Sequence, residues 1–308
     1  MVTGPVTHEI KSLKDIPDEG LVTGGSPLCG GCPASLGIKM VVEALGRDVF
    51  VVNASGCMTL FVTYPHTPLS VSWIHVAIEN AAAAATGLCS ALKAMGKKAT
   101  VVCYAGDGAT YDIGFQALSG AVDRGDDFVY VCYNNQSFGN TGIQRSAATP
   151  YGAFTTTTPT GKVNRIGNMW RRKPMAKILA VHGIPYAATA CVSYPADFMN
   201  KLRRAAAVEG PAFIDLLAPC PTGWGFDSSK TVEMGRLAVQ TGMWPLYEFR
   251  GGKFSLSMAP EGLKPVTDYL SQQKRFRHLP ENEVQKIQKW VSDDWTALRA
   301  GKWWEARS

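Results

Sequence analysis

Apolar runs of strand length alternate with longer segments of helical period up to about Ala218. "DVFVVN" (Asp48–Asn53), "ATVVCY" (Ala99–Tyr104), "FVYVCY" (Phe128–Tyr133), "PYAATA" (Pro185–Ala190) and "AFIDLLA" (Ala212–Ala218) read as strands. Helices are expected over about Ser35–Leu45, Ile78–Met95, Ile113–Arg124 and Ala196–Val208. Gly96 and the two lysines after it supply a helix stop. Near-continuous apolar strands separated by helices predict an α/β fold, a parallel sheet with helices on both faces. Such sheets bind ligands beyond the carboxyl ends of their strands. "SGC", "GDG", "NN" and "PCP" each directly follow a predicted strand, so the four turns are expected to converge on one sheet edge. Residues 155–174 read as irregular. So does the chain after about Ser228, apart from a helical portion near Glu281–Leu298. Trp290, Trp295, Trp303 and Trp304 in that tail imply packing on this domain or on another subunit.

Composition narrows the class. The chain has 308 residues and is 46% hydrophobic, enough for a large core. Its formal charge of +6, from 31 basic and 25 acidic residues, is too mild to indicate nucleic-acid binding. Arg171, Arg172 and Lys173 form a local basic cluster that could face an acidic partner. The apolar run around Ala81–Ala85 is interrupted by Glu79, Asn80 and Thr86, so no membrane span is expected. The opening "MVTGPVTHEIKSLKDIPDEG" lacks a basic start followed by an apolar block. The expectation is therefore a cytoplasmic chain without a signal peptide.

There are eight cysteines. In a cytosolic chain, burial or metal ligation is favoured over disulfides. Cys89, Cys103, Cys132 and Cys191 lie in apolar runs and read as small buried hydrophobes. Cys29, Cys32, Cys57 and Cys220 sit among glycine and proline, in "LCGGCP", "SGCM" and "PCPTGW". By spacing alone, the C-x-x-C of Cys29 and Cys32 leaves zinc, a redox thiol pair and an iron–sulfur cluster open.

The "GDG" of Gly106–Gly108 ends one predicted strand, and Asn134–Asn135 end the next. Glycines there let backbone N–H groups approach a diphosphate, and a following helix N-terminus favours the anion. Asp107 offers a hard oxygen for Mg²⁺, Asn135 an amide oxygen, and Ser137 a backbone carbonyl.

The block "YAGDGATYDIGFQALSGAVDRGDDFVYVCYNNQSFGNTGIQRSAATP" resembles the thiamine diphosphate motif of the 2-oxoacid:ferredoxin oxidoreductases, most of all the β subunit of the pyruvate type. The likeness runs over roughly Leu28–Thr222, through "SGCM", "TYPHTP", "SWIHVAIENAAAAATG" and "APCPTGW". It implies a thiamine-diphosphate-binding fold, with a cofactor domain at residues 1–228 and a C-terminal extension at 229–308 packing on that domain or on a partner subunit. It implies three cofactors: thiamine diphosphate, Mg²⁺ and a 4Fe–4S cluster on Cys29, Cys32, Cys57 and Cys220. Gly106, Asp107, Gly108, Ala109, Asn135 and Ser137 would hold the diphosphate and magnesium, with Cys57 close to the thiamine. Asn140 matches an asparagine beside thiamine and substrate, whose amide would donate to a substrate oxygen.

The implied activity is oxidative decarboxylation of a small 2-oxoacid, with CO₂ released and electrons passed through the cluster to ferredoxin. The rivals are a non-redox thiamine-dependent decarboxylase subunit and a structural metal-binding subunit. The glutamate that activates thiamine is expected from an α-type partner, with γ and/or δ subunits completing the enzyme. Glu79 reads as structural, and Ala34 stands where some relatives carry a glutamate. The sequence departs from the pyruvate pattern at His66, where an aromatic residue is commoner, and at Thr59, where an acidic one is. "CYNNQS" also replaces the commoner "DNE" form. A less acidic site suits an anionic substrate, so oxalate stands beside pyruvate. His75 reads as structural.

Overall fold

The structure is a computed structural model that describes residues 9–306. Residues 1–8, the start of the stretch expected to lack a signal peptide, lie outside the described residues. The strands are β1 (Val49–Ala54), β2 (Ser72–Val76), β3 (Thr100–Gly106), β4 (Phe128–Asn134), β5 (Tyr186–Cys191), β6 (Ala212–Leu217), β7 (Leu246–Arg250) and β8 (Lys253–Met258). The helices are α1 (Pro33–Leu45), α2 (Ala81–Ala94), α3 (Phe115–Arg124), α4 (Met175–Val181), α5 (Pro195–Ala206), α6 (Pro221–Trp224), α7 (Thr231–Gln240), α8 (Val266–Leu270) and α9 (Glu281–Arg299).

One sheet carries the fold, in the order β2-β1-β3-β4-β6-β5-β7-β8. β1 to β6 are mutually parallel; β7 pairs antiparallel with β5, and β8 antiparallel with β7. Every residue of β4, β5 and β6 is buried. That two-sided burial is why these strands read as unbroken apolar runs. One face packs Ile38, Val41, Phe198 and Leu202 from α1 and α5 against Val102, Val131 and Ile214. The other packs Ala81, Ala85, Leu118 and Leu179 from α2, α3 and α4 against Val101, Cys103 and Phe213. Each fully buried aliphatic side chain contributes about 1.5–3 kcal/mol.

Several elements differ from the sequence reading. β2 is an unforeseen edge strand, with Ser72, Ile74 and His75 exposed, so its pattern is broken by polar residues. α2 begins at Ala81 rather than Ile78, and α3 at Phe115 rather than Ile113. A wide helical turn at Gly108–Ile113 fills the space between β3 and α3. The tail after Ser228 is not irregular. It contributes α7, two strands, α8 and α9 around a third core of Trp224, Trp244, Tyr269 and Trp295. The hairpin between β7 and β8 turns at Gly251 and Gly252, with φ of 53° and 75°. This geometry favours consecutive glycines.

The tail tryptophans pack mostly on this chain. Trp295 donates to the Gly242 carbonyl at 3.2 Å, Trp290 meets Tyr151 edge-on, and Trp303 packs on Phe249, while Trp304 is exposed. The basic cluster also turns inward. Arg171 pairs with Asp294, Arg172 lies over the Trp244 ring, and Lys173 donates to the Tyr111 carbonyl. Cys103, Cys132 and Cys191 are buried, but Cys89 is only half-buried. Among the described residues no helix is long and apolar enough to cross a membrane.

Candidate functional site

β1, β3, β4 and β6 are consecutive neighbours in the sheet. Their carboxyl ends therefore bring "SGC", "GDG", "NN" and "PCP" side by side. A cavity of about 290 Å³ opens there, and Cys57, Gly106, Gly108, Ala109, Asn135, Ser137 and Asn140 all line it. Asp107 lies beneath, fully buried. Two of the glycines are fixed by close approach. A Cβ on Gly108 would lie 2.4 Å from the Phe138 ring, and one on Gly106 3.3 Å from the Tyr133 ring.

The Asp107 carboxylate accepts from Ser146 Oγ and, at 3.1 Å, from the Asn135 backbone N–H. Burial nevertheless pushes its pKa up to about 8. An ionised carboxylate has about four acceptor sites, so two bonds leave capacity for a cation. Asn135 Oδ1 accepts from the Ser137 N–H at 3.2 Å, closing a tight turn. Asn134 has a different task. Its amide donates to Asp215 at 2.9 Å and to the Tyr111 hydroxyl at 3.0 Å, and Tyr111 donates to Asp215. This buried network anchors the end of β4.

Residues far away in sequence clamp the same turn. Trp224 Nε1 donates to the Asn135 carbonyl at 2.8 Å. Gln136 sits at φ 65°, and its Oε1 accepts from Arg275 at 2.7 Å. Arg275 is 5% exposed, also donates to Gln273 Oε1 at 2.9 Å, and stacks 3.9 Å from the centre of the Trp224 ring.

The four glycine- and proline-flanked cysteines gather on the side of the cavity where β1 and β6 end. Burial first, and then the Cys220, Cys32 and Cys29 charges, push Cys57 up to about 12. Burial also raises Cys32 and Cys220, and each feels the Cys29 charge. Cys220 Sγ accepts from the Gly223 N–H at 3.3 Å, capping α6. Among the described residues, no three His, Cys, Asp or Glu side chains group as ligands of one metal ion. Tyr133, on the cavity wall, is pushed well up by burial and next by the Cys57 charge. Its hydroxyl has no hydrogen-bond partner among the described residues, although the Met58 N–H approaches it.

Other sequence candidates stand aside. Asn140 is exposed at the cavity rim. His66 is exposed, and Thr59 Oγ1 accepts from the Gly56 N–H at 3.1 Å. Glu79 lies in the turn entering α2, and the Ala34 carbonyl accepts from the Tyr104 hydroxyl at 2.7 Å. His75 forms a chain beside the cavity. Nδ1 is 3.1 Å from Asn53 Oδ1, and Nε2 is 3.0 Å from Ser55 Oγ. Asn53 Nδ2 is committed to the Tyr104 carbonyl, so Oδ1 accepts and Nδ1 carries the proton.

Residues 54–216 match the family model of the C-terminal TPP binding domain of thiamine pyrophosphate enzymes. The pyruvate synthase subunit PorB of Methanothermobacter marburgensis is 51% identical over 286 residues, 92% of this chain and 99% of the relative. The chain belongs to this family of 2-oxoacid oxidoreductase subunits. Another relative, the ketoisovalerate oxidoreductase subunit VorB of Pyrococcus horikoshii, is 43% identical over 303 residues, 96% of this chain and 97% of the relative. A solved 2-oxoglutarate:ferredoxin oxidoreductase from Magnetococcus marinus shares the fold, at a TM-score of 0.56 and 19% identity over 91% of this chain and 97% of that one. Family membership agrees with the resemblance read from "GDG…NN", and the matched residues 54–216 include those that line the cavity at the strand ends.

For a 2-oxoacid oxidoreductase subunit, sequence reasoning missed Ser146, Tyr133, Trp224 and Arg275. Trp224 stood in plain view in "PCPTGW", four residues after Cys220. Nothing in the local pattern marked the other three.

Proposed function

We propose that this chain is the β subunit of a pyruvate:ferredoxin oxidoreductase, holding thiamine diphosphate with Mg²⁺ at the "GDG" and "NN" turns and a 4Fe–4S cluster on Cys29, Cys32, Cys57 and Cys220. The observation that carries this reading is that four adjacent strand ends bring Cys57, the buried Asp107, Asn135 and Cys220 to one edge of the sheet, where Cys29 and Cys32 of the loop before α1 also come close enough to act on the Cys57 thiol. When bound, thiamine diphosphate supplies the carbanion and electron sink for decarboxylation, and the cluster accepts the electrons.

The donor sets fit these groups. One carboxylate with neutral oxygens suits Mg²⁺, which completes its shell with phosphates and water. Four thiolates on one zinc ion would each have to lie about 2.3 Å from a single point. Among the described residues no three such side chains group around one ion, whereas a cluster spreads its ligands over four irons. Metal binding would also offset the raised thiol pKa values.

This chain's residues would divide the work as follows. Asp107 and Asn135 would fix the metal, with the Ser137 carbonyl as a third oxygen. Phe138 and Tyr133 would shield the floor from water. Asn140 would orient the substrate carbonyl from the rim. The aminopyrimidine glutamate would come from an α-type partner, with γ and/or δ subunits and ferredoxin completing the path.

Pyruvate is favoured over 2-oxoisovalerate by the relatives, and over oxalate by where the departing residues lie. The pyruvate synthase relative is more similar than the ketoisovalerate one, at 51% against 43% identity. Among the departures that suggested an anionic substrate, Asn134, Gln136, Thr59 and His66 do not line the cavity: Asn134 and Gln136 are committed to Asp215 and Arg275, Thr59 to Gly56, and His66 is exposed.

The test is anaerobic purification of the complex, with iron and thiamine analysis and assay on pyruvate, 2-oxoisovalerate and oxalate. Pyruvate should turn over best, and Cys220→Ser should lose iron while retaining thiamine. A fully active complex with no iron on this subunit overturns the reading.

A further inference from the structure

Arg275 is the most unusual charge in the molecule. A guanidinium loses its hydration on burial, and the loss is offset when a carboxylate pairs with it. Arg275 has no such partner among the described residues. Its acceptors are two neutral amides, Gln136 and Gln273, and an aromatic face, Trp224. Trp224 is the last residue of α6, the helix that Cys220 caps. The short turn that carries Arg275, Lys274–Phe276, docks on α6, with the Lys274 N–H donating to the Gly225 carbonyl at 3.3 Å. Arg275 does not line the cavity, so a substrate carboxylate entering there does not reach it.

We infer that Arg275 is a positioning residue for the electron-transfer step: its buried guanidinium supplies the positive charge that stabilises the reduced state of the cluster held by Cys220 and its three companions. This rests on the cluster reading above. Burial lowers the pKa of Arg275 to about 10, and the groups that oppose that shift are Tyr269 first, then Cys220, with Asp107 after them. The stacking of Arg275 on Trp224 places the guanidinium against the helix that Cys220 caps, and its bond to Gln136 places it against the turn after β4. A reduced cluster carries one more negative charge than an oxidised one, and a fixed cation in a poorly screened interior favours the more negative state. The tail, which the sequence presents as packing, thus reaches the redox centre.

The experiment compares wild-type, Arg275→Met and Arg275→Lys complexes purified anaerobically. Iron per chain, the cluster's reduction potential followed by electron paramagnetic resonance, and the Kd of thiamine diphosphate are measured. Arg275→Met should keep its iron and shift the cluster towards the oxidised form by about tenfold, which is about 59 mV more negative for a one-electron couple. Arg275→Lys should restore most of the potential, because it retains the charge. Unchanged potential with full iron in Arg275→Met overturns the inference. So does a tenfold loss of thiamine diphosphate affinity at constant potential, which would assign the charge to the diphosphate. If Arg275→Met does not fold, Arg275→Lys decides. The potential should then stay near wild type despite the lost stacking, and a shift as large as tenfold counts against a charge effect. A wild-type complex without iron on this subunit defeats the cluster reading instead, and is seen separately.

Discussion

Gly31 and Gly30 stand side by side between Cys29 and Cys32, yet alanine should act oppositely at the two positions. Gly31 has φ 68°, and a Cβ there would lie 2.3 Å from the Ser228 carbonyl oxygen. That oxygen belongs to the backbone and cannot rotate away. Left-handed backbone costs a non-glycine residue about 1–2 kcal/mol, and the overlap adds about 1–3 kcal/mol. Separating the loop from Ser228 also strains the 2.8 Å hydrogen bond from Thr231 Oγ1 to the Gly31 carbonyl, worth about 1 kcal/mol. Together these amount to about 3 kcal/mol or more, over a hundredfold in the docking of the C-x-x-C loop. Gly30 has no positive φ, and a Cβ there would meet only Ser228 Oγ, at 4.0 Å. The assay is iron per chain in the anaerobic complex, with the alkylation rate of Cys29 after cofactor removal as a readout independent of the metal. Gly31→Ala should lose most of the iron and speed alkylation, while Gly30→Ala should match wild type. Equal iron content and equal alkylation in the two variants would falsify the argument that this loop is held by docking on Ser228.

Two further outcomes follow from the buried groups. Burial raises Asp107 from its ordinary 3.8 to about 8 in the folded chain. Its contribution to stability is therefore fully present below about pH 4 and is lost as the pH rises through about 8. In the cofactor-stripped complex, Asp107→Asn should gain in Tm over wild type between pH 4 and 8, and added Mg²⁺ with thiamine diphosphate should reverse the order. A difference that stays flat with pH in calorimetry refutes this. Tyr133→Phe removes a hydroxyl that has no partner, so denaturant unfolding of the stripped complex should change by less than about 0.5 kcal/mol; a loss above about 2 kcal/mol would mean that the Met58 N–H holds it after all.

What could be read in the sequence follows from what each residue packs against. β4 and β6 are covered on both faces, so their apolar runs announced them. β2 and β8 lie at the two sheet edges, where Ser72, His75 and Lys253 break the pattern. The Gly251–Gly252 hairpin and the strict alternation of Lys253–Met258 after it were readable signals for β7 and β8 that the sequence reading passed over. Glu248 and Arg250 occupy β7 because they pair with Arg204 and extend to solvent rather than face a second layer. The site divides in the same way. Asp107 and Asn135 could be named because each follows its own strand. Ser146, Trp224 and Arg275 meet them only after the chain has returned from elsewhere, and no local spacing encodes that encounter.

That encounter also ties the two halves of the site together. The carboxylate side is built from residues 104–149, and the thiol side from the N-terminal loop, the β1 turn and the β6 turn. Trp224 belongs to the thiol side by its place in α6, but its N–H holds the Asn135 carbonyl. Arg275 stacks on that same indole and grips Gln136. A displacement of Cys220 therefore cannot leave Asn135 unmoved without breaking a buried hydrogen bond, which costs about 1–3 kcal/mol when one partner is left unsatisfied. Electron transfer between a decarboxylating centre and a cluster depends on holding the two at a fixed separation. On the proposed reading, one tryptophan and one arginine would set that separation, with the tail that presses them into place.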